Sequence, residues 1–163
     1  MKQPAAWRHH GERDKTPLHY TDCGLDNVYL VSGYEIENTP YGEGLAIKNL
    51  DQLHTAIGYN LSSQKKVLSG KELRFLRKQM NRTQSDLGKF LGLSSQQVAR
   101  WEKGESEISG SADLLVRALF IQYAGAELDL QKLAKSLEET DAPLSEKSFY
   151  EKTLQGWRYK KAA

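Results

Sequence analysis

The stretch TQSDLGKFLGLSSQQVARWEKGE, residues 83–105, determines the fold of the middle of the chain. Its apolar residues recur at helical spacing in two short runs. A Ser or Thr precedes each run, and an Asp or Gln follows it at capping-box spacing, as at helix N-termini. A glycine between the runs can adopt the left-handed conformation that ends a helix. The stretch therefore predicts helices over 84–91 and 95–103 joined by a short turn, the spacing of a helix-turn-helix.

The two predicted helices divide their side chains between an inner and an outer face. Gly88 is expected to let the helices approach closely, and the inner face is predicted to hold Leu87, Leu91, Leu93, Val98 and Trp101. The outer face of the second helix carries Ser95, Gln96, Gln97 and Arg100. These polar residues are either the solvated side of an amphipathic helix or a set that reads bases. In a helix-turn-helix this segment enters the major groove, where Gln pairs with adenine and Arg with guanine.

Charge is unevenly distributed along the chain, although the net charge is only +2. Residues 64–104 hold ten Lys and Arg against three Asp and Glu, whereas residues 17–63 and 105–145 are both acidic. A basic segment between two acidic ones favours a surface for a polyanion such as DNA. The alternative is that these Lys and Arg side chains only solvate helix surfaces.

The length of 163 residues allows one or two small domains. Polar, charged residues 1–16 predict a disordered tail. Residues 17–63 predict a small α+β domain, in which NVYLVSGYEIE and LAI form strands around the turn NTPYGEG. A helix capped by Asn49 and Gln52 follows.

Residues 64–140 predict an all-α domain with five helices. Besides the two above, the capping and periodicity signals predict helices near 70–80, 111–123 and 129–139. Residues 141–163 are predicted to be a C-terminal tail, partly helical. The fold class is therefore α+β, with a β-hairpin and helix preceding a five-helix domain.

From about Leu68 to Phe120 the sequence resembles the Cro/repressor (XRE-type) helix-turn-helix family, with its lambda repressor-like domain. The motif T-Q-x-x-L-A-x-x-x-G-[VL]-[ST]-x-x-x-[VI]-x-x-W-E-x-G is matched by residues 83–104, except at Gly88, where the family usually has Ala. A second departure is SEISGSAD, where a Pro usually precedes the next helix. Neither departure touches the predicted reading face.

The resemblance implies roles for individual residues. Base contacts are implied for Ser95, Gln96, Gln97 and Arg100, and backbone contacts for Gln84 and Lys103. Ser94 and Lys89 complete the predicted DNA-binding set. Arg77 and Glu102 match a partly buried ion pair that ties the first helix of the domain to the third.

The chain as a whole also resembles two-domain antitoxin regulators of the MqsA type. Their N-terminal domain is similar to a zinc ribbon with four cysteines, but this chain has only Cys23. His19, His9 and His10 are the other residues considered as ligands. Because zinc needs tetrahedral N and S ligation, the sequence predicts no metal site, and Cys23 is interpreted as a turn or core residue. No cofactor is expected.

Several other classes are disfavoured. The sequence has no run of about 20 apolar residues for a membrane helix, and its N-terminus lacks the apolar region of a secretory signal. Cys23 with His19 does not make a nucleophilic site, so no enzyme is predicted. The tyrosines at 20, 29, 34, 41 and 59 are interpreted as packing residues rather than a base-stacking platform. A cytoplasmic bacterial-type regulator is expected.

These observations predict a sequence-specific DNA-binding regulator that acts as a homodimer on a palindromic operator in double-stranded DNA. The apolar segment 111–137, with Leu115, Leu119, Leu130 and Leu133, is expected to supply part of the dimer interface. The favoured role is the antitoxin of a type II pair, which neutralises its toxin and represses the shared promoter. The alternative is a stand-alone regulator of a mobile element or phage operon, whose N-terminal domain serves for dimerisation or polymerase contact.

Overall fold

The computed structural model describes residues 16–64, 67–138 and 147–161, which form an α+β fold as predicted. Helices and strands follow in the order β1 (Leu18–His19), β2 (Val28–Leu30), β3 (Tyr34–Thr39), β4 (Gly42–Ile47), α1 (Leu50–Ser63), α2 (Gly70–Gln79), α3 (Gln84–Leu91), α4 (Ser95–Glu102), α5 (Gly110–Tyr123), α6 (Leu130–Glu138), β5 (Ser148–Thr153) and β6 (Gly156–Lys160). The prediction of a disordered tail falls mostly on residues 1–15, outside the described part.

The C-terminal segment is not helical in its described part, so the prediction of a partly helical tail is wrong. It forms the antiparallel hairpin β5–β6, and β5 pairs in parallel with β2, giving a four-stranded sheet of order β1-β2-β5-β6. The sequence SFYEKT followed by GWRYK is rich in aromatic residues that pack well on a pleated sheet. The strand conformation of this segment depends on parallel pairing with β2, which is distant in sequence. The local spacing of apolar residues does not reveal that pairing.

The predicted strand NVYLVSGYEIE is divided into β2 and β3. Gly33 separates them with a φ of 80°, and a Cβ atom there would lie 2.5 Å from the Cβ of Lys152 and 2.6 Å from the ring of Trp157. Trp157 also donates from Nε1 to the Lys48 carbonyl, at 2.6 Å. The chain therefore leaves the four-stranded sheet at Gly33 and continues into a separate two-stranded hairpin, β3–β4.

Helix α1 packs between the four-stranded sheet and α5. It begins where predicted, but Asn49 adopts a left-handed conformation and makes no capping hydrogen bond, so the predicted capping box with Gln52 is wrong. Buried Gly58 faces the ring of Phe120 on α5 at a distance that excludes any side chain. On the other side, Asn60 donates to the hydroxyl of Tyr150 in β5, at 3.0 Å.

The five helices α2–α6 begin and end within one residue of the predicted positions. Their N-termini explain this agreement, because the cap hydrogen bonds are local. Capping boxes form at Ser69 with Glu72 and at Thr83 with Asp86. Ser94 accepts a hydrogen bond from the Gln97 amide, and the helix starts there as expected.

One hydrophobic core includes residues from the sheet, α1 and the helical half. It contains Leu30 and Tyr150 from the sheet, Ile57 from α1, and Leu87 and Val98 from the helix-turn-helix segment, all 0 % exposed. The core therefore crosses the predicted domain boundary after residue 63. A second, smaller cluster holds Ala118, Ile121 and Leu133 between α5 and α6.

The end of α1 and the residue Leu68 before α2 are held by a buried ion pair on α5 that was not predicted from the sequence. Arg117, which is 0 % exposed, donates to the carbonyls of Leu61 at 3.1 Å and Gln64 at 2.5 Å, and to the carboxylate of Asp113. Asp113 in turn accepts from the Leu68 amide at 2.9 Å. Two charged side chains thus satisfy backbone groups on both sides of the junction.

Candidate nucleic-acid interface

Two glycines shape the junction of helices α3 and α4, Gly88 within α3 and Gly92 at its end. Gly92 ends α3 with a φ of 72°, the left-handed conformation predicted for it. A Cβ atom on Gly88 would lie 2.7 Å from the Leu93 carbonyl oxygen, so the backbone after the turn packs directly on this glycine. A side chain at position 88 would push α4 away from α3, whereas one at position 92 would have open space but a strained backbone.

The inner face of the two helices is mostly as predicted. Leu87 and Val98 are fully buried, Trp101 is 5 % exposed, and Leu91 packs partly against the core. Leu93 is different, because it is 41 % exposed. Leu93 follows Gly92, whose left-handed conformation changes the direction of the chain. The helical spacing from which its burial was predicted therefore does not extend to this residue.

The outer face of α4 presents the predicted polar residues. Ser95, Gln96 and Arg100 are exposed, whereas Gln97 is half-buried and donates from Nε2 to the Ser106 hydroxyl at 3.3 Å. Ser94 uses its hydroxyl to accept from the Gln97 amide at 3.2 Å. Three of the four predicted side chains are thus open to solvent, and Gln97 is engaged with Ser106 within the chain.

A buried network fixes the position of α4 relative to α2 and α3. Arg77 donates to the two carboxylate oxygens of Glu102 at 2.5 and 3.1 Å, and the predicted ion pair is therefore present. Gln84, the first residue of α3, donates to the same carboxylate at 2.9 Å. Arg77 also donates to the Arg82 carbonyl at 2.8 Å. Helices α2, α3 and α4 thereby each contribute a side chain to one set of hydrogen bonds around Glu102.

The family model described as Helix-turn-helix (HTH_3) matches residues 73–112. This segment is a helix-turn-helix domain. No curated protein and no solved structure matches the chain. The domain supports a DNA-binding regulator, and it is a regulatory domain rather than a catalytic one. Among the described residues, no helix is long and apolar enough to cross a membrane.

The helix-turn-helix domain carries exposed cations beside its reading face. Lys89 lies in the last turn of α3 and Lys103 directly follows α4, and both are exposed. Arg82 was not among the predicted DNA-binding residues, and its guanidinium lies 5.6 Å from the centroid of the Phe90 ring on α3. No sequence pattern marks it, because Phe90 is eight residues further along the chain and the two side chains meet only in the fold.

The first turn of α3 carries a carboxylate that is bonded within its own capping box. Asp86 accepts from the hydroxyl and the amide of Thr83, at 2.7 and 3.0 Å, and these bonds lower its pKa. Its charge therefore caps the helix N-terminus.

The residues considered for metal binding or nucleophilic chemistry do not converge. Cys23 is half-buried and donates from Sγ to the Tyr20 carbonyl at 3.6 Å, and burial raises the pKa of its thiol. A thiol with a raised pKa is mostly protonated and a poor nucleophile. His19 donates to the Asp26 carbonyl at 2.7 Å. Within the described ranges no three His, Cys, Asp or Glu side chains are grouped to hold a metal ion, and His9 and His10 lie outside those ranges.

Proposed function

We propose that the protein is a sequence-specific transcriptional repressor whose reading helix is α4. The observation that carries the proposal is the exposure of Ser95, Gln96 and Arg100 on a helix whose position is fixed by the buried Glu102 network. A reading helix must hold its side chains at fixed positions against base edges, because each bidentate contact contributes ~1–3 kcal/mol of discrimination only when its geometry is right. The Glu102 network supplies that rigidity from the buried side of α4.

The experiment that tests α4 selects an operator from random duplexes with the full chain and then measures binding by variants. Gln97→Ala and Arg100→Ala should each lose ~1–3 kcal/mol on the operator and little on random DNA. The loss should map to particular base pairs in a footprint. If both variants fold and retain operator affinity and base preference, α4 is not the reading helix.

Matched variants separate base reading from phosphate contact. Lys89→Ala and Lys103→Ala should weaken binding to all sequences alike and reduce the salt dependence by about one unit of slope, because a phosphate contact releases counterions. Gln84→Ala is expected to weaken all sequences as well, since this side chain contacts Glu102 and lies at the N-terminus of α3.

A homodimer completes the proposal, since one reading helix covers only a few base pairs and two-fold dimers read half-sites about 10 bp apart. Of the four leucines expected at the interface, Leu133 is buried within the chain and Leu119 packs partly on the main core. Leu115 and Leu130 are 40 % and 48 % exposed, and they support an interface formed by α5 and α6.

Sedimentation at micromolar concentration tests the dimer. Leu115→Glu and Leu130→Glu should shift the protein toward monomer, while Leu154→Glu, at a fully exposed turn position, should not. A wild-type monomer that still binds a palindrome tightly contradicts the dimer.

The exposed surface of the β3–β4 hairpin supports the antitoxin role. The cross-strand pair Ile36 and Leu45 is 42 % and 37 % exposed and shares its face of the hairpin with exposed Glu43, while exposed Glu35 and Glu37 project from the other face. An acidic surface with exposed apolar residues and edge strands fits a basic protein, as expected of a small basic toxin. We therefore assign toxin binding to this hairpin.

Co-purification with the product of the adjacent reading frame tests the antitoxin role. Leu45→Lys should abolish the complex and leave operator binding intact, whereas Tyr41→Ser at the hairpin tip serves as the exposed control. If the neighbouring frame encodes no protein that binds the chain, the stand-alone regulator becomes the better interpretation.

A further inference from the structure

Four side chains from four different strands form one row across the β1-β2-β5-β6 sheet. His19 lies opposite Tyr29, Tyr29 opposite Phe149, and Phe149 opposite Lys160. Residues paired in this way project from the same face of a sheet. The row therefore continues from one edge strand to the other, and we call the side of the sheet that carries it the outer face.

The outer face is the side of the sheet away from α1. Leu30 and Tyr150, which follow Tyr29 and Phe149 in their strands, are 0 % exposed and point to the core. Alternation along a strand then places Tyr29 and Phe149 on the opposite side. Both are half-buried, in contrast to the fully buried residues next to them.

The aromatic rings of the row contact one another. His19 stacks on Tyr29 with ring centroids 4.6 Å apart and planes 10° from parallel, and the Tyr29 and Phe149 centroids are 5.5 Å apart. His19 belongs to an edge strand and is exposed. The row thus forms a partly exposed aromatic surface that is already ordered by its own stacking.

Cations surround this aromatic surface. The Lys147 ammonium lies 5.2 Å from the centroid of the Tyr29 ring. Arg158 and Lys160 lie on β6, at 2.6 and 3.7 Å from the single carboxylate of Glu151. The hydrogen bond from Arg158 lowers the pKa of Glu151, which is therefore charged at neutral pH. With these three cations and one carboxylate, the described part of the outer face is positive.

We propose that the outer face is a second nucleic-acid site, which binds single strands through stacking of bases on the ring faces of His19 and Phe149 that point away from Tyr29, and through contact of phosphates with the lysines. Aromatic residues on a sheet surface beside Lys and Arg are the elements from which such sites are built. A duplex does not fit this chemistry, since its base faces are stacked on each other. The positive charge disfavours a basic protein, the partner suited to the acidic β3–β4 hairpin. This site goes beyond operator reading by α4 and does not depend on it.

The test measures fluorescence anisotropy of a labelled 15-nucleotide oligothymidylate or oligouridylate with the full chain at low salt. An abasic deoxyribose-phosphate strand of equal length is the matched probe, because it keeps the phosphates and removes the bases. We expect the single strands to bind and the abasic strand to bind at least several-fold more weakly. Phe149→Leu and His19→Ala should each lower affinity by roughly 5- to 100-fold, the effect of one lost stacked base.

Variants away from the row distinguish this site from α4 and from general charge. Lys147→Gln should reduce the salt dependence of single-strand binding by nearly one unit of slope. Arg100→Ala should weaken operator binding and leave the single strand unaffected, and Tyr41→Ala, a fully exposed tyrosine outside the row, should change neither.

Three results overturn the proposal. One is an absence of single-strand binding by the folded wild-type protein at tens of micromolar. Another is equal affinity for the abasic strand, which reduces the surface to general electrostatic attraction. The third is loss of single-strand binding in Arg100→Ala with no loss in His19→Ala, which assigns the strand to α4. Thermal unfolding of each variant identifies a folding defect, and exposed His19 remains a suitable probe if Phe149→Leu does not fold.

Discussion

Replacement of Glu102 by Ala is the most informative perturbation of the helix-turn-helix domain. The Glu102 side chain is 4 % exposed and accepts three hydrogen bonds, two from Arg77 and one from Gln84. Without it, the guanidinium of Arg77, which is 10 % exposed, keeps only the Arg82 carbonyl among its described partners. The variant therefore leaves a buried charge without a counter-charge.

The expected loss of unfolding free energy is large. Removal of one partner from a buried ion pair costs ~3–5 kcal/mol, against a total of ~5–15 kcal/mol for a small protein. Glu102→Gln keeps the shape and one acceptor oxygen but loses the charge, and should cost about 1–3 kcal/mol. The double variant Arg77→Met/Glu102→Leu buries no charge and should recover most of the loss.

Urea denaturation followed by circular dichroism gives these free energies, provided that the m-values agree across the variants. The single variants and the double variant form a cycle, and we expect its coupling energy to exceed about 1.5 kcal/mol. A cost below about 1 kcal/mol for Glu102→Ala, with additive effects in the cycle, would refute the argument that this pair fixes α4.

Two further outcomes follow from packing and protonation. Gly58→Ala on α1 should cost about 1–3 kcal/mol because its methyl group overlaps the Phe120 ring, whereas Gly110→Ala, with open space around it, should be neutral or stabilising; urea titrations compare the two. Burial lowers the pKa of His54, whose ring also receives a hydrogen bond from Gln79. The unfolded chain therefore binds more protons than the folded chain at mildly acidic pH. The contribution of His54 to the free energy of unfolding is full above pH ~6.5 and falls as the pH drops below it. Unfolding free energies between pH 7.5 and 5.5 should fall more steeply for the wild type than for His54→Gln, and equal slopes would exclude this assignment.

The helical half was predictable from sequence because its determinants are local. Ser69 and Thr83 lie three residues before their carboxylate partners, and Gly92 ends α3 by its own backbone conformation. The exposure of Ser95 and Arg100 follows from the same helical period that buries Val98. Such signals lie within one or two turns of the chain and need no knowledge of the tertiary structure.

The sheet was not predictable in the same way. Tyr29 pairs with Phe149, and no local signal identifies a partner 120 residues away. The strand β1 has only two residues, too few to show alternation. The row on the outer face forms only through these pairings. From the sequence alone, Tyr29 therefore could be interpreted only as a packing residue.

Arg117 is an intermediate case. Its distance of four residues from Asp113, within the apolar helix α5, is visible in the sequence as an ion-pair spacing. Its hydrogen bonds to the carbonyls of Leu61 and Gln64 are not visible in the sequence, because they depend on the packing of α1 against α5. A charged pair inside an apolar helix predicts burial, while its partners remain a tertiary property.

The match to the helix-turn-helix family ends at residue 112, yet the position of α4, the proposed reading helix, depends on residues beyond it. Val98 belongs to the same core cluster as Leu30 and Tyr150 in the four-stranded sheet. Arg117 joins α5 to the end of α1 through backbone carbonyls, and Asp113 holds the amide of Leu68 before α2 begins. The sheet, α1 and α5 therefore stabilise the helix-turn-helix as parts of one core, and the exposed face of α4, which we propose reads bases, is a product of the whole described fold.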